Sequence, residues 1–208
     1  VEQSTYTFSF HRNMLLAFTS RLDLTDLTLV GQDWGGILGL TLPMEPPQRF
    51  SRLLIMNTAL ATGDVPLGQG FIAWRQWCRD NPDLSTGRLL GRACPHLSAE
   101  ERAAYDAPFP DIEYKAGARA FPELLPEHPD ADGAEISRRS RAWLQGEWQG
   151  ETFMAIGMQD LVLTPSMMHH LHKSIRNCPA PFEVAEGGHF LQEWGAGVAR
   201  QALESWQR

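Results

Sequence analysis

The sequence has few cysteines, no basic run and no long apolar segment, and each absence excludes a class of protein. The three cysteines, Cys78, Cys94 and Cys178, are widely spaced and form no C-x-x-C pair. This usage argues against a disulfide framework or a structural zinc site and fits a reducing compartment. Acidic residues outnumber basic ones by 25 to 18, giving a formal net charge of −7. This charge is unfavourable for binding to nucleic acids and anionic membranes. The apolar runs are too short to span a membrane.

The composition is otherwise that of an ordinary globular protein. A chain of 208 residues fits one domain, or one domain with an insertion. Hydrophobic residues make up 43% and charged residues 21% of the chain, a balance that excludes wholesale disorder.

Short apolar runs bounded by turn residues predict the strands. They occupy residues 27–30, 53–56 and 153–156, with a weaker candidate at 182–184. Continuous apolar runs of this length are typical of strands that are buried on both faces of a parallel sheet.

Helical patterns separate the predicted strands. Met14, Leu15, Phe18 and Leu22 recur at helical spacing before the first strand. A capping box beginning at Ser98 and an N-cap and first-turn proline at Thr164-Pro165 mark two further helix starts. Strands that alternate with helices predict an α/β fold with right-handed crossovers.

The middle of the chain has helix signals but no convincing strand. Residues 63–148 contain eight of the fourteen prolines. We interpret this region as a helical cap inserted into an α/β core, with residues 1–62 as the first part of the core and residues 149–208 as the second.

The most informative segment is Gly31-Gln32-Asp33-Trp34-Gly35-Gly36, which follows a predicted strand and precedes a helix. This is the context of a nucleophile elbow, with Asp33 where ester hydrolases have serine. Because the turn is tight, we expect a Cβ at Gly31 or Gly35 to crowd the nucleophile. The helix start favours an anion at this position. The alternative is that Asp33 only caps the helix.

Two further residues complete a possible triad. Enzymes with this elbow place nucleophile, acid and histidine in that chain order, each after a strand. Asp160 follows the strand around 153–156, and His189 follows the last strand signal in Gly187-Gly188-His189-Phe190. Taken singly, Asp160 could be a turn aspartate and His189 a hydrogen-bonded loop histidine.

These motifs resemble the haloalkane dehalogenases of the α/β-hydrolase superfamily, in the branch that carries its second halide-binding tryptophan in the cap. The resemblance covers essentially the whole chain. It rests on the elbow, on Phe153–Asp160 and Gly188–Phe190, and in the cap on Phe71–Trp74, Ala107–Asp111 and Phe121–Pro122.

The resemblance implies a two-step hydrolysis. Asp33 would attack the carbon that bears the halogen and form an alkyl ester, since a carboxylate in an apolar cavity needs no base to activate it. His189, oriented by Asp160, would then take a proton from the water that attacks this ester. The backbone N–H of Trp34 would supply half of the oxyanion hole.

The resemblance also assigns the leaving group and the substrate pocket. The indole N–H groups of Trp34 and Trp74 would bind the departing halide as neutral donors, although Trp77 lies on the same helical face as Trp74 and could be confused with it. The family's cavity-lining positions match Phe71, Phe121 and Pro122. The resemblance implies no cofactor and no metal, a small halogenated alkane and water as partners, a monomer, and a cytoplasmic location.

One departure from the family concerns the start of the sequence. About two dozen residues precede the elbow strand, whereas family members carry several more strands there and a His-Gly loop that supplies the second oxyanion N–H. We therefore expect that this sequence is an N-terminally truncated part of a longer enzyme.

Two other functions stay open. An epoxide hydrolase would need a cap tyrosine to protonate the epoxide, and Tyr105 and Tyr114 are candidates. A catalytically inert α/β-hydrolase fragment is the second alternative. The histidines His169, His170 and His172 have no acidic or thiol partner at ligand spacing, so we predict a solvated helix face there and not a metal site.

Overall fold

A four-stranded parallel sheet forms the centre of the protein. The computed structural model describes residues 3–207, and the strands occur in the order β1-β2-β3-β4 with every neighbouring pair parallel. Their bounds are β1 Leu27–Gln32, β2 Phe50–Met56, β3 Glu151–Gly157 and β4 Phe182–Val184. The predicted strands and the α/β class are thus confirmed.

Nine α-helices surround this sheet within residues 3–207, joined by short 3₁₀ turns. Five of them, α3 to α7, lie between β2 and β3, and no strand occurs there among the described residues. The helices are α1 Phe8–Arg21, α2 Trp34–Gly39, α3 Gln69–Asp80, α4 Thr86–Ala93, α5 Ala99–Asp106, α6 Ala116–Ala120, α7 Ala134–Gly146, α8 Pro165–Lys173 and α9 Gly195–Trp206. In the described part of the chain, no helix is both long and apolar enough to cross a membrane.

Two helix starts form as their sequences predict. The Ser98 hydroxyl accepts from the N–H of Glu101, whose side chain accepts from the N–H of Ser98. The Thr164 hydroxyl caps α8 by accepting from the N–H of Met167. These side chains satisfy backbone donors that the first helical turn leaves without partners.

The main core lies between the sheet and helices α2, α7 and α8. Because parallel strands are covered by crossover helices, their side chains are apolar over most of their length. The fully buried members include Leu53 and Ile55 from β2, Met154 and Ile156 from β3, and Leu144, Trp148 and Met168.

The prediction that β1 is buried on both faces is wrong. Leu27 and Leu29 pack against the core, but Val30 on the other face is 59% exposed. Strand β1 is an edge of the described sheet, and nothing among residues 3–207 covers this face. Met14 and Phe18 of α1 are likewise more than half exposed, so the apolar pattern of α1 marks a helix without marking a buried face.

Glycines allow close packing between β1, α2 and β2. A Cβ at Gly31 would lie 2.9 Å from the Cα of Gly36, and one at Gly36 would lie 2.3 Å from the Oγ1 of Thr58. The corresponding prediction for Gly35 is wrong, because no atom lies within 4 Å of its ideal Cβ position. A side chain at position 35 would enter open space. The close packing of this turn therefore requires glycine at positions 31 and 36 but not at position 35.

The two adjacent glycines of α2 should therefore respond differently to alanine. Gly36→Ala should lower the free energy of unfolding by about 1–3 kcal/mol, because its methyl group overlaps Thr58. Gly35→Ala should leave stability unchanged or raise it by up to about 1 kcal/mol, because alanine is the better helix residue. Urea denaturation of the two variants beside the parent protein measures the difference. Equal effects would contradict this packing.

Candidate active site

Asp33 lies in the sharp turn between β1 and α2. Its backbone has φ 47° and ψ −123°, a region that residues other than glycine rarely adopt and that requires support from surrounding structure. Four hydrogen bonds of its backbone provide this support. The Asp33 N–H donates to the carbonyl of Asn57 at 2.9 Å. The Asp33 carbonyl accepts from the Thr58 hydroxyl at 2.7 Å and from the N–H groups of Gly36 at 3.0 Å and Ile37 at 2.9 Å. The Asp33 side chain makes no capping hydrogen bond to α2. This excludes the alternative that Asp33 only caps the helix.

His189 lies between two carboxylates. Its Nδ1 is 3.0 Å from Oδ2 of Asp160, and its Nε2 is 3.9 Å from Oδ2 of Asp33. The first distance is a hydrogen bond, and the second is too long for one. The loop that carries His189 is held by Gln32, whose side-chain amide donates to the His189 carbonyl at 2.7 Å. The structure thus brings together the three side chains predicted to form a triad.

Asp160 is 2% exposed, and all its hydrogen bonds come from within the protein. Its Oδ1 accepts from the N–H groups of Val162 at 2.7 Å and Leu163 at 3.0 Å. Its Oδ2 accepts from the side-chain amide of Asn57 at 2.8 Å and faces His189. A buried carboxylate with this many donors remains ionised and fixed in orientation.

Asn57 is a site residue that sequence reasoning missed. It directly follows β2, is fully buried, and donates to Asp160, while its side-chain oxygen accepts from the N–H of Gly157 at 2.7 Å. Its backbone carbonyl also receives the N–H of Asp33. The only signal in the sequence is a polar residue after a buried strand, which no motif distinguishes from an ordinary turn asparagine.

The environment shifts the pKa of each triad member. Burial raises the pKa of Asp33, and the positive His189 and the N–H of Trp34 oppose this only in part. Burial also acts to raise the pKa of Asp160, but the hydrogen bond and charge of His189 outweigh it and the pKa falls below its ordinary value. Burial lowers the pKa of His189, but the hydrogen bond to Asp160 and the charges of both carboxylates raise it above its ordinary value.

A cavity of about 400 Å³ opens beside Asp33. Its size suits a small organic ligand, and such sites combine apolar walls with a few placed polar groups. The apolar lining comes from α2, from the segment between β2 and β3 and from the loop after β3. It includes Trp34, Ile37, Leu60, Phe71, Leu125, Val162 and Leu163.

The structure does not bring the two predicted halide-binding tryptophans together around this cavity. Trp34 lines it beside Asp33, but Trp74 is not among the lining residues and stacks on Trp77, with ring centroids 5.4 Å apart and planes at 19°. The halide-binding role of Trp74 therefore stays a prediction.

The three predicted pocket residues also occupy different positions. Phe71 lines the cavity. Phe121 packs edge-on against Trp34 with centroids 5.0 Å apart, and Pro122 is buried, but neither of them lines the cavity. Phe121 thus contacts the cavity wall through Trp34, and a role for Pro122 in the pocket stays a prediction.

The histidines of α8 differ from one another. His169 faces Glu183 at 3.3 Å, and the His172 ring bonds the carbonyl of Cys178 at 3.0 Å. His170 is exposed, in agreement with the prediction of a solvated face, and it also lines the cavity. Among the residues the structure describes, no cluster of potential ligands could hold a metal ion.

Comparison with known proteins identifies the family. Residues 2–196 match the family model of the α/β-hydrolase fold, and the chain accordingly belongs to that superfamily. The haloalkane dehalogenase of Psychrobacter cryohalolentis is 38% identical over 206 residues, spanning 97% of this chain and 67% of that protein. The haloalkane dehalogenase of Mycolicibacterium paratuberculosis is 35% identical over 209 residues, spanning 98% and 67%.

A solved structure agrees with these relatives. The tetrameric haloalkane dehalogenase DpaA from Paraglaciecola agarilytica has a TM-score of 0.95 and 42% identity, covering 99% of this chain and 69% of that one. Within the α/β-hydrolase superfamily, this chain belongs to the haloalkane dehalogenases. It spans about two thirds of the length of its curated relatives.

Replacing Asn57 by alanine should destabilise the protein. The change leaves the buried N–H of Gly157 without its acceptor and removes a donor from Asp160, so the free energy of unfolding should fall by about 1–3 kcal/mol. Asn81→Ala is the matched control, because the Asn81 side chain makes one partly buried bond, to the carbonyl of Trp77. Chemical denaturation of both variants tests this, and an Asn57→Ala protein as stable as the control would contradict it.

Proposed function

We propose that this protein hydrolyses haloalkanes to an alcohol and a halide ion through a covalent ester on Asp33. The observation that carries the proposal is the position of His189. Its ring is hydrogen-bonded to buried Asp160 and lies 3.9 Å from the carboxylate of Asp33, which lines an apolar cavity. Membership of the haloalkane dehalogenases supports the substrate class.

In the first step, a carboxylate oxygen of Asp33 attacks the carbon that bears the halogen. A C–O bond forms, the carbon–halogen bond breaks, and the halide leaves with the bonding electrons. The apolar lining hydrates the Asp33 carboxylate poorly, which favours its attack on a saturated carbon. The indole N–H of Trp34, which lines the cavity beside Asp33, would stabilise the halide. The same role for Trp74 stays a prediction.

In the second step, water adds to the ester carbonyl of Asp33 and its proton passes to His189. The gap between Nε2 of His189 and Asp33 is longer than a direct hydrogen bond and suits one bridged by water. Asp160 holds the imidazole with Nδ1 as donor and stabilises its positive charge. The alkyl oxygen then leaves as the alcohol with the proton held by His189, and the carboxylic acid formed on Asp33 loses its remaining proton to water, which restores the carboxylate.

We also propose the division into core and cap. The cavity is lined by Phe71 and Leu125 from the region 63–148 and by Asp33 and Val162 from the flanking segments. This shared lining supports a helical cap over a core made of residues 1–62 and 149–208. The monomer and the cytoplasmic location stay predictions, and the solved relative DpaA is tetrameric.

The epoxide hydrolase alternative lacks a cap tyrosine at the cavity. Tyr105 hydrogen-bonds to Glu193, Tyr114 is 63% exposed, and neither lines the cavity beside Asp33. This arrangement favours halide release over epoxide opening.

His189→Phe should trap the ester. The parent protein should release bromide continuously from 1,2-dibromoethane, whereas the variant should release about one equivalent and stop, because attack by Asp33 needs no base but hydrolysis does. Mass spectrometry of the variant should find Asp33 heavier by the alkyl group. His169→Phe, on the side of α8 that faces Glu183, is the control and should turn over normally.

An unmodified Asp33 in the exposed His189→Phe protein would contradict the covalent scheme. Formation of diol from styrene oxide by the parent protein, without bromide from 1,2-dibromoethane, would favour the epoxide hydrolase instead. No turnover of either compound would favour the inert alternative.

Turnover limited by ester hydrolysis should fall as the pH decreases through the pKa of His189. Only neutral imidazole accepts a proton, and the two carboxylates raise this pKa above its ordinary value of about 6.5. Asp160→Asn should lower the pKa of His189, moving the acid limb to lower pH, and should reduce turnover by about 10³–10⁴-fold. Initial rates of bromide release from pH 5 to 9 measure both effects.

The control for this profile is Asp130→Asn, at an exposed aspartate remote from the triad. It should reproduce the parent's profile. An acid limb that stays in place in Asp160→Asn would show that His189 is not the group that titrates.

A further inference from the structure

The cavity wall formed by α8 carries a row of polar side chains. Ser166, His170 and Ser174 all line the cavity. Ser166 and His170 lie four residues apart on one face of α8, and Ser174 directly after the helix donates its hydroxyl to the His170 carbonyl at 3.5 Å. At the rise of a helix the row extends over about 12 Å. Met167 and Leu171 lie beside the row and also line the cavity, which gives this wall an apolar strip next to a polar one.

Two members of the row have unused hydrogen-bonding groups. Both residues are exposed, and within residues 3–207 the hydroxyl of Ser166 and the ring of His170 make no hydrogen bond or ion pair with the protein. These groups are therefore open to solvent or to a ligand in the cavity. The other two histidines of α8 both have partners, Glu183 for His169 and backbone carbonyls for His172. The one histidine of α8 without a partner is thus the one that faces the cavity.

The charged groups near this wall are paired. Arg141 of α7 lines the cavity, and its guanidinium donates to Asp64 at 3.0 Å. Arg138 is 3.6 Å from the same carboxylate and also pairs with Glu135 at 2.8 Å. Two arginines and two carboxylates balance each other, so this part of the cavity offers hydrogen bonds without an excess charge and suits a neutral polar group better than a carboxylate.

None of these polar residues has a role in the two reaction steps. With its halogen at Asp33 and Trp34, a substrate places the rest of its chain in the remaining cavity, where Met167 and Leu171 contact methylene groups. Serine hydroxyls and a neutral imidazole both donate and accept hydrogen bonds, and a hydroxyl group does the same. A few placed polar groups in an apolar pocket set orientation and specificity.

We propose that Ser166, His170 and Ser174 bind a hydroxyl group at the far end of the substrate, so that the preferred substrates are haloalkanes with a terminal hydroxyl group. This inference rests on the proposed dehalogenase function. It makes the row a specificity determinant that takes no part in bond making or breaking.

The test compares 6-bromo-1-hexanol with 1-bromohexane, which differ only in the terminal hydroxyl. Bromide release gives kcat/KM for each substrate, and the ratio of alcohol to alkane is the quantity of interest. In the triple variant Ser166→Ala, His170→Leu, Ser174→Ala, this ratio should fall about five-fold, the change expected for losing a net hydrogen bond. The alcohol should lose affinity, with KM rising more than kcat falls.

His169→Leu is the matched control, because it removes a histidine from the same helix that does not line the cavity. It should leave the ratio and both rates at the parent's values. A ratio unchanged in the triple variant, or equal proportional losses for both substrates, would overturn the inference while leaving dehalogenation intact. Absence of bromide from both substrates with the parent protein would overturn the proposed function and this inference together.

Discussion

The hydrogen bonds of Asn57 hold the carboxyl ends of three strands together, and the rest of the site depends on them. Its carbonyl receives the N–H of Asp33 after β1, while its side chain accepts from Gly157 at the end of β3 and donates to Asp160 in the following loop. Parallel strands end at the same edge of a sheet, so one buried residue can reach both neighbours. The strained turn at Asp33 is sustained because the Asn57 backbone carbonyl and the Thr58 hydroxyl hold its backbone.

The electrostatics of the site follow from one imidazole between two carboxylates of different burial. Asp160 has donors for both oxygens, which keeps its charge and lowers its pKa, whereas Asp33 borders an apolar cavity and its pKa is raised. In the mechanism proposed above, these two carboxylates serve opposite purposes, Asp160 as a fixed orienting charge and Asp33 as the nucleophile. His189 connects the two, and its raised pKa links the hydrolytic half of the reaction to pH.

The cavity is built from elements far apart in the chain. Asp33 and Trp34 come from the elbow, Phe71 and Leu125 from the segment between β2 and β3, and the polar row from α8. The chemistry depends on the elbow and the triad loops, while the choice of substrate depends on the remaining walls. Such a division allows substrate preference to differ among relatives that share one reaction.

The amino-acid sequence by itself determined the features that local periodicity and short motifs express. These are the strands, the capped starts of α5 and α8, the elbow at Asp33 and the chain order of acid and histidine. Only the tertiary structure decided that Asn57 joins the strand ends, that His170 faces the cavity, that Trp74 stacks on Trp77 and that Val30 is exposed. Each of these depends on which distant segment covers a given face, and hydrophobic spacing along the chain records that a face is apolar without recording what packs against it.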